Sequence, residues 1–323
     1  MKRRKLGKNG PELSEIGLGA WVFAGRGPWS WGPADDRESV DAIHRAINLG
    51  VNWIDTAPAY GLGHSEEIVG RAIRTRRDKM YIATKCGVVW NKKLKVRHDL
   101  SPHSIRSEVE ASLARLGVET IDLYQIHWPD PSMPVEKSWQ EMAHLQKEGK
   151  VRWLGVSNFG IDLLQRCEKI HHIDSLQPPY SLLRRDVEKD VLDFCWRNGI
   201  GVVAYSPLFS GLLTGRFDRQ KVAADDWRAK SPNFQEPLLS KYLSFVDRLR
   251  PIAQKYDKTV GQLAISWVLR NPAITSAIVG ARRVSQVEEN VSAGEWQIDE
   301  GDTIRIENLL SEWVIIQPTK HTK

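Results

Sequence analysis

Short apolar, β-branched runs alternate with amphipathic stretches of helical period along almost the whole chain, which is the rhythm of repeated βα units. The runs predict strands over 15–19, 51–55, 80–84, 121–126, 151–156, 174–177, 201–205 and 275–279. Between them, 36–49 reads as a helix with an Asp-rich start, apolar residues at Val40, Ile43 and Ile47, and a stop at Gly50. The segment 101–116 has Pro102 in its first turn, Glu108 and Glu110 on its surface, and Gly117 after its last residue.

Strands that alternate with helices pair in parallel, and closing eight of them removes both exposed sheet edges. The expectation is therefore a (β/α)8 TIM barrel formed by one domain over 1–323. An open doubly wound sheet is the alternative, but it would bring a glycine fingerprint after a strand. Gly17-Leu18-Gly19 and Gly61-Leu62-Gly63 lack the third glycine at the required spacing. Two segments break the alternation. Residues 3–6 and 11–14 flank Gly7-Lys8-Asn9-Gly10, whose Asn-Gly pair predicts an N-terminal β-hairpin that closes the barrel bottom. Residues 206–239 form a long stretch rich in Gly and Pro after the seventh strand, and loops of that length are more often functional than accidental.

Composition narrows the class. With 323 residues and 41% hydrophobic content the chain can bury a sizeable core. No run approaches the roughly 18 consecutive apolar residues that a membrane span needs, and the basic start lacks the apolar run of a signal peptide. A cytoplasmic protein with no membrane partner is expected. Cys86, Cys167 and Cys195 are odd in number and show no C-x-x-C spacing, so neither a disulfide framework nor a zinc site is suggested. The net charge of +6 invites a nucleic-acid reading. Its densest run, Arg74-Thr75-Arg76-Arg77-Asp78-Lys79, ends an amphipathic stretch, where cations suit a helix C-terminus, and no nucleic-acid partner is expected.

In a TIM barrel the chemistry gathers at the C-terminal rim of the strands. There the chain delivers Asp55, Lys85, His127, Ser157 with Asn158, Gln177, Tyr205 with Ser206, and Gly280, with Tyr60 five residues beyond Asp55. Singly, such an Asp is a helix cap and such a His a core residue; together they make a site. An ordinary phenol titrates near 10. An ammonium about 4 Å away, at an effective dielectric near 20, favours the phenolate by roughly 4 kcal/mol, enough to bring Tyr60 towards neutral pH. Asp55 is the partner that keeps Lys85 charged. Tyr60 can then give a proton to a carbonyl oxygen that His127 orients. No side chain supplies hydride, so a nicotinamide cofactor is implied. An ammonium and a phenol beside Asp55 and His127 argue against a metal, and His98, His103, His171 and His172 fall on helix or loop stretches outside this set.

The strings Ile54-Asp55-Thr56-Ala57-Pro58-Ala59-Tyr60-Gly61, Ala83-Thr84-Lys85, Gln125-Ile126-His127 and Gly155-Val156-Ser157-Asn158-Phe159 resemble the aldo-keto reductase superfamily, in family order and from end to end of the chain. The closest likeness is to its bacterial NADPH-dependent, general-stress-protein-like branch. The resemblance implies a catalytic tetrad of Asp55, Tyr60, Lys85 and His127 with Tyr60 as general acid. It places Ser157, Asn158 and Gln177 on the nicotinamide carboxamide and Tyr205 against the ring, with Trp21 and Asp55 beside it. Ser206, Pro207, Leu208, Gly211 and Arg216 belong to a segment that folds over the pyrophosphate. Gly280, Arg282, Gln286, Glu289 and Asn290 match the adenosine-phosphate site, Arg282 offering the fork that favours a 2′-phosphate. Other branches carry Lys at the Gly280 position, so NADPH is expected with NADH possible. Trp21, Phe23, Trp90 and Trp128 follow strand ends and are candidate walls of the substrate pocket. Cys86, by strand alternation, points away from Lys85.

The function implied is NADPH-dependent reduction of a small-molecule aldehyde or ketone to an alcohol, by a monomer. The alternative is a cofactor-binding regulatory or sensor subunit on the same barrel. A barrel hydrolase would want a second carboxylate across the mouth from Asp55, and the other strand ends offer none.

Overall fold

The computed structural model describes residues 1–25, 31, 32, 34–91, 93–224 and 226–316, with the side chains of 313–316 left aside. A hairpin of β1 (Arg3–Lys5) and β2 (Glu12–Ser14) precedes the first barrel strand, β3 (Ile16–Gly19). The remaining barrel strands are β4 (Trp53–Asp55), β5 (Tyr81–Cys86), β8 (Ile121–Ile126), β9 (Val151–Ser157), β10 (Ser175–Gln177), β11 (Gly201–Tyr205) and β12 (Ile274–Gly280). All pair in parallel, and β12 closes on β3, giving the eight-stranded TIM barrel that the sequence predicts. Each expected strand is found within two residues of its expected ends. Between β5 and β8 lies a second hairpin, β6 (Val88–Trp90) with β7 (Val96–His98), which the sequence reading did not foresee. His98 is thus on a strand.

Helix α1 (Asp36–Asn48) is capped by the Asp35 carboxylate, which accepts from the N–H groups of Arg37 at 2.8 Å and Glu38 at 2.9 Å. It buries Ala42, Ile43, Ala46 and Ile47, spaced to form one face. Helix α2 (His64–Ile73) follows β4, and α3 (Pro102–Leu116) begins at a Ser101 cap and ends at Gly117 in a left-handed conformation. The outer layer continues with α4 (Val135–Lys147), α5 (Ile161–Glu168) and α6 (Val191–Asn198). After β11 the described residues up to Pro237 include four short 3-10 turns, and α7 (Leu238–Lys255) and α8 (Val260–Leu269) then lead into β12. Helices α9 (Val284–Val291) and α10 (Glu300–Ile316) complete the described chain.

Glu108 departs from expectation. Instead of lying on the surface of α3, it turns inward and accepts from the Gly87 N–H at 3.0 and 3.1 Å and from the Ser104 hydroxyl at 3.1 Å. Burial pushes its carboxyl up to about 8.

The hairpin seals the bottom of the barrel, as expected. Leu6 and Leu13 join Trp53, Ala83, Leu123, Val203 and Ile278 in an apolar cluster separate from the larger core. Arg4 donates to the carbonyls of Leu269 and Ile274, each at 2.8 Å. The turn differs in detail, because the positive φ of 56° falls on Gly7 rather than on Asn9-Gly10. A Cβ on Gly7 would stand 2.4 Å from the Gly199 carbonyl oxygen, so this close approach needs glycine.

Candidate active site

The register of the barrel brings the polar rim together. Asp55 pairs with Gly19 on one side and Ala83 on the other, Lys85 with Gln125, Gln125 with Gly155, and Ser157 with Gln177. Lys85 is fully buried, and its Nζ lies 2.9 and 2.7 Å from the two oxygens of Asp55, 2.9 Å from the Thr56 carbonyl and 3.2 Å from the Tyr60 Oη. An ammonium has three protons. One shared by the Asp55 oxygens, one on Thr56 and one on Tyr60 satisfies all four contacts. The Tyr60 oxygen is then an acceptor from Lys85, which leaves its own proton directed elsewhere. Gln177 Nε2 donates to Asp55 Oδ1 at 2.7 Å, and Gln125 Nε2 approaches the same oxygen at 3.4 Å.

Tyr60 is delivered by a tight turn after β4. Gly61, Leu62 and Gly63 all have positive φ, and a Cβ on Gly61 would sit 1.9 Å from the Ala24 carbonyl oxygen. The ring of His127 meets that of Tyr60 edge-on at 5.7 Å. Burial, reinforced by the Lys85 charge, holds His127 well below the ordinary imidazole range, so it is neutral.

Tyr60 itself corrects one sequence expectation. Burial drives its phenol well above 10, and the charge of Asp55 adds to this. The Asp55 carboxylate, in contact with Lys85, opposes the pull of the ammonium on the phenol. The phenol is therefore a protonated acid, not one poised near neutrality. Burial likewise lowers Lys85, with Asp55 opposing the shift.

Around this centre the expected carboxamide residues bond to one another. Asn158, at φ 63°, donates from Nδ2 to the His127 carbonyl and to Ser157 Oγ, both at 3.0 Å, and its Oδ1 accepts from the Tyr205 hydroxyl at 2.8 Å. Ser157 Oγ donates to the Gln177 carbonyl at 2.9 Å. Ser206 follows β11 with φ 55°, and Pro207 and Leu208 lead into a turn where Gly211 has φ 96°.

At the far end of the rim, Gln286 Oε1 accepts from the Arg282 N–H at 2.9 Å, and Asn290 Nδ2 reaches the Gly280 carbonyl at 3.3 Å. The Arg282 guanidinium hydrogen-bonds the Trp31 carbonyl. Arg216 was expected on a phosphate and Glu289 on adenine, yet here they pair with each other at 2.7 Å.

Of the expected pocket walls, Trp21 stands above the centre, its ring 6.2 Å from that of Tyr60. Phe23 does not: it is 1% exposed and belongs to the main core. Trp90 lies on β6 and Trp128 just beyond His127, both half-buried. Two further aromatics join Trp21, Trp31 from the same connection between β3 and α1 and Trp227 from the segment after β11. Trp31 meets it at 5.2 Å, and Trp227 stacks on it at 6.4 Å. Arg228 lies over Trp31 at 4.6 Å. Gln125 and Thr56 sit inside the motif strings 125–127 and 54–61, whereas Trp31 and Trp227 carry no local sequence signal. Cys86 is buried and rests 3.8 Å from the Met142 sulfur. No group of three or more His, Cys, Asp or Glu among the described residues is placed to hold a metal ion.

Known proteins resemble this chain in sequence and in fold. The Aldo/keto reductase family model matches residues 15–311. Aldo-keto reductase YhdN of Bacillus subtilis is 38% identical over 318 residues, covering 97% of this chain and 95% of its own length. The NADH-specific methylglyoxal reductase of Escherichia coli is 36% identical over 315 residues, with 94% and 96% covered. Among solved structures, the glycerol dehydrogenase AKR11B4 from Gluconobacter oxydans superposes with a TM-score of 0.89 at 39% identity, covering 99% of this chain and 98% of that one. The chain accordingly belongs to the aldo/keto reductase family, as an NAD(P)H-dependent oxidoreductase of carbonyl compounds.

Proposed function

We propose that the protein uses NADPH to reduce an aldehyde or ketone to an alcohol, with Tyr60 as the general acid. The observation that carries this reading is the buried Lys85 ammonium, held by both oxygens of Asp55 and 3.2 Å from the Tyr60 Oη.

The residues present suit a nicotinamide cofactor. Ser157, Asn158 and Gln177 offer the hydroxyl and amide groups that a carboxamide needs, and Tyr205, whose hydroxyl is tied to Asn158, presents a ring at the same rim. A reduced nicotinamide, when bound, supplies the hydride that adds to the carbonyl carbon.

Tyr60 and His127 act at the carbonyl oxygen. The phenol proton, turned away from Lys85, is given up as negative charge develops there, and the neutral imidazole orients the oxygen through a second hydrogen bond. The phenolate left behind sits 3.2 Å from the Lys85 ammonium, which stabilises it. Because the resting phenol is held well above 10, proton transfer belongs to the step in which the oxygen becomes strongly basic.

Arg282 supports a preference for NADPH, since a guanidinium fork matches a 2′-phosphate. Tyr60→Phe tests the assignment: turnover is expected to fall by about 10²–10⁴-fold with cofactor binding retained. Unchanged turnover would refute it.

A further inference from the structure

We infer that Ser65 is a positioning residue for the proton-donating centre, a buried clasp that fixes Tyr60, Thr56 and the turn carrying Trp21 in a single arrangement. This rests on the roles of Tyr60 and Lys85 proposed above.

Ser65 lies in the first turn of α2 and is fully buried, as are Ala20 and Thr56. It reaches three separate pieces of the site. Its main-chain N–H donates to the Tyr60 carbonyl at 3.2 Å. Its hydroxyl donates to the Ala20 carbonyl at 2.8 Å, at the peptide that leads into Trp21. A serine hydroxyl has one proton, so the 2.9 Å contact with the Thr56 hydroxyl has Thr56 as donor and Ser65 as acceptor. The direction of the whole chain of bonds is thereby fixed.

Thr56 passes this order on to the lysine. Its carbonyl takes one Lys85 proton at 2.9 Å, and Asp55 takes another. The third is left aimed at Tyr60. Were the Thr56 peptide free to tilt, the ammonium would lose both a directing acceptor and a dipole that favours its charged form. The next residue along α2 secures the opposite flank. Glu66, fully buried, accepts from the hydroxyl of Thr84 at 2.6 Å and from Arg115 at 2.6 Å, and Thr84 immediately precedes Lys85 in β5. One helical turn thus grips both strands that carry the Asp55–Lys85 pair.

The test uses the full-length enzyme and two variants. Ser65→Ala removes the clasp hydroxyl, while Thr56→Val cuts only the Thr56–Ser65 link and leaves the Ser65 bonds to Tyr60 and Ala20 in place. In each, kcat for a carbonyl substrate is expected to fall on the order of tenfold, while the cofactor Kd stays within about twofold. The alkaline limb of the kcat profile moves to lower pH, because the Thr56 carbonyl is no longer held squarely on the ammonium. The double variant loses no more than the worse single variant, and Ser65→Thr, which keeps the hydroxyl, recovers part of the loss. A folded Ser65→Ala enzyme with wild-type kcat and an unmoved alkaline limb would overturn the inference. So would a fall in kcat matched by an equal loss of cofactor-binding sites. Tyr60→Phe, assayed in parallel, separates the two levels: wild-type turnover there removes the underlying assignment, whereas loss of turnover there with normal Ser65→Ala kinetics refutes the clasp alone.

Discussion

Arg216 and Glu289 meet at 2.7 Å and so join the segment that leaves β11 to the helix that follows β12. Glu289 Oε1 also accepts from the Thr259 hydroxyl at 2.9 Å, at the start of α8. The pair spans the side of the rim where the pyrophosphate and adenosine of a dinucleotide are expected. Arg216 is 65% exposed, so its removal is expected to cost less than about 1 kcal/mol of stability. Its effect lies in retention. In Arg216→Ala, stopped-flow measurement is expected to show cofactor leaving several-fold faster, and an unchanged rate would dissociate the pair from cofactor hold.

Arg282 makes a sharper test of cofactor choice. Its side chain is oriented by the Trp31 carbonyl and its main chain by Gln286. Arg282→Gln keeps a donor but loses the charge and the fork, so affinity for NADPH is expected to drop by about 10–100-fold while affinity for NADH changes little. Titration of both cofactors decides this. Equal losses would place the 2′-phosphate elsewhere.

Glu108 predicts a pH dependence of stability with a definite sign. Its folded-state carboxyl is raised to about 8, whereas in the unfolded chain it titrates near the ordinary glutamate value. A raised pKa gives stability that is fully present below the unfolded value and is lost as pH rises through the folded one. Compared with Glu108→Gln, the wild-type Tm should therefore decline progressively between about pH 4.5 and pH 8, by more than about 3 °C in total. Thermal melts of the two proteins across that window would show a constant difference if Glu108 were not buried against Gly87.

Lys85→Met addresses the buried ion pair. The replacement is apolar and of similar length, but it leaves Asp55 buried with only the Gln177 and Gln125 amides. Stability is expected to fall by about 3–5 kcal/mol, as when one partner of a buried pair is removed. Turnover should be lost together with it. Denaturant titration measures the first quantity, and Lys85→Met in combination with Asp55→Asn should recover much of the stability without recovering activity.

Much of this was legible in the sequence, for identifiable reasons. Most barrel strands are apolar runs that end at or beside a polar rim residue, so the strand and the chemistry it delivers are marked together, as at Ile54-Asp55 and Thr84-Lys85. Pairing register then brings these residues into contact with no further information. Glu108 could have been read correctly, because it lies three residues after Ile105 and four before Ser112, both buried on the inner face of α3. The β6–β7 hairpin was missed because its strands are only three residues long and its tip is polar. Contacts such as Trp21 with Trp227 join loops more than two hundred residues apart, and no local pattern encodes them. The resting state of Tyr60 also escaped, since it depends on how tightly Asp55 closes on Lys85 rather than on which residues are present.

The tryptophan group over Tyr60 gives the mouth an optical signature. Trp21 and Trp227 lie 6.4 Å apart with planes 24° from parallel, and Trp31 stands edge-on to both. Indoles this close couple their strong far-ultraviolet transitions, so the far-ultraviolet circular dichroism of the protein should carry an exciton band belonging to this trio. Because Trp227 comes from the segment after β11 and Trp21 from the turn after β3, that band reads the distance between two loops. Its weakening in Trp227→Phe, where only the Trp21–Trp31 pair remains, and its change as ligands enter would report the geometry of the mouth without any added label.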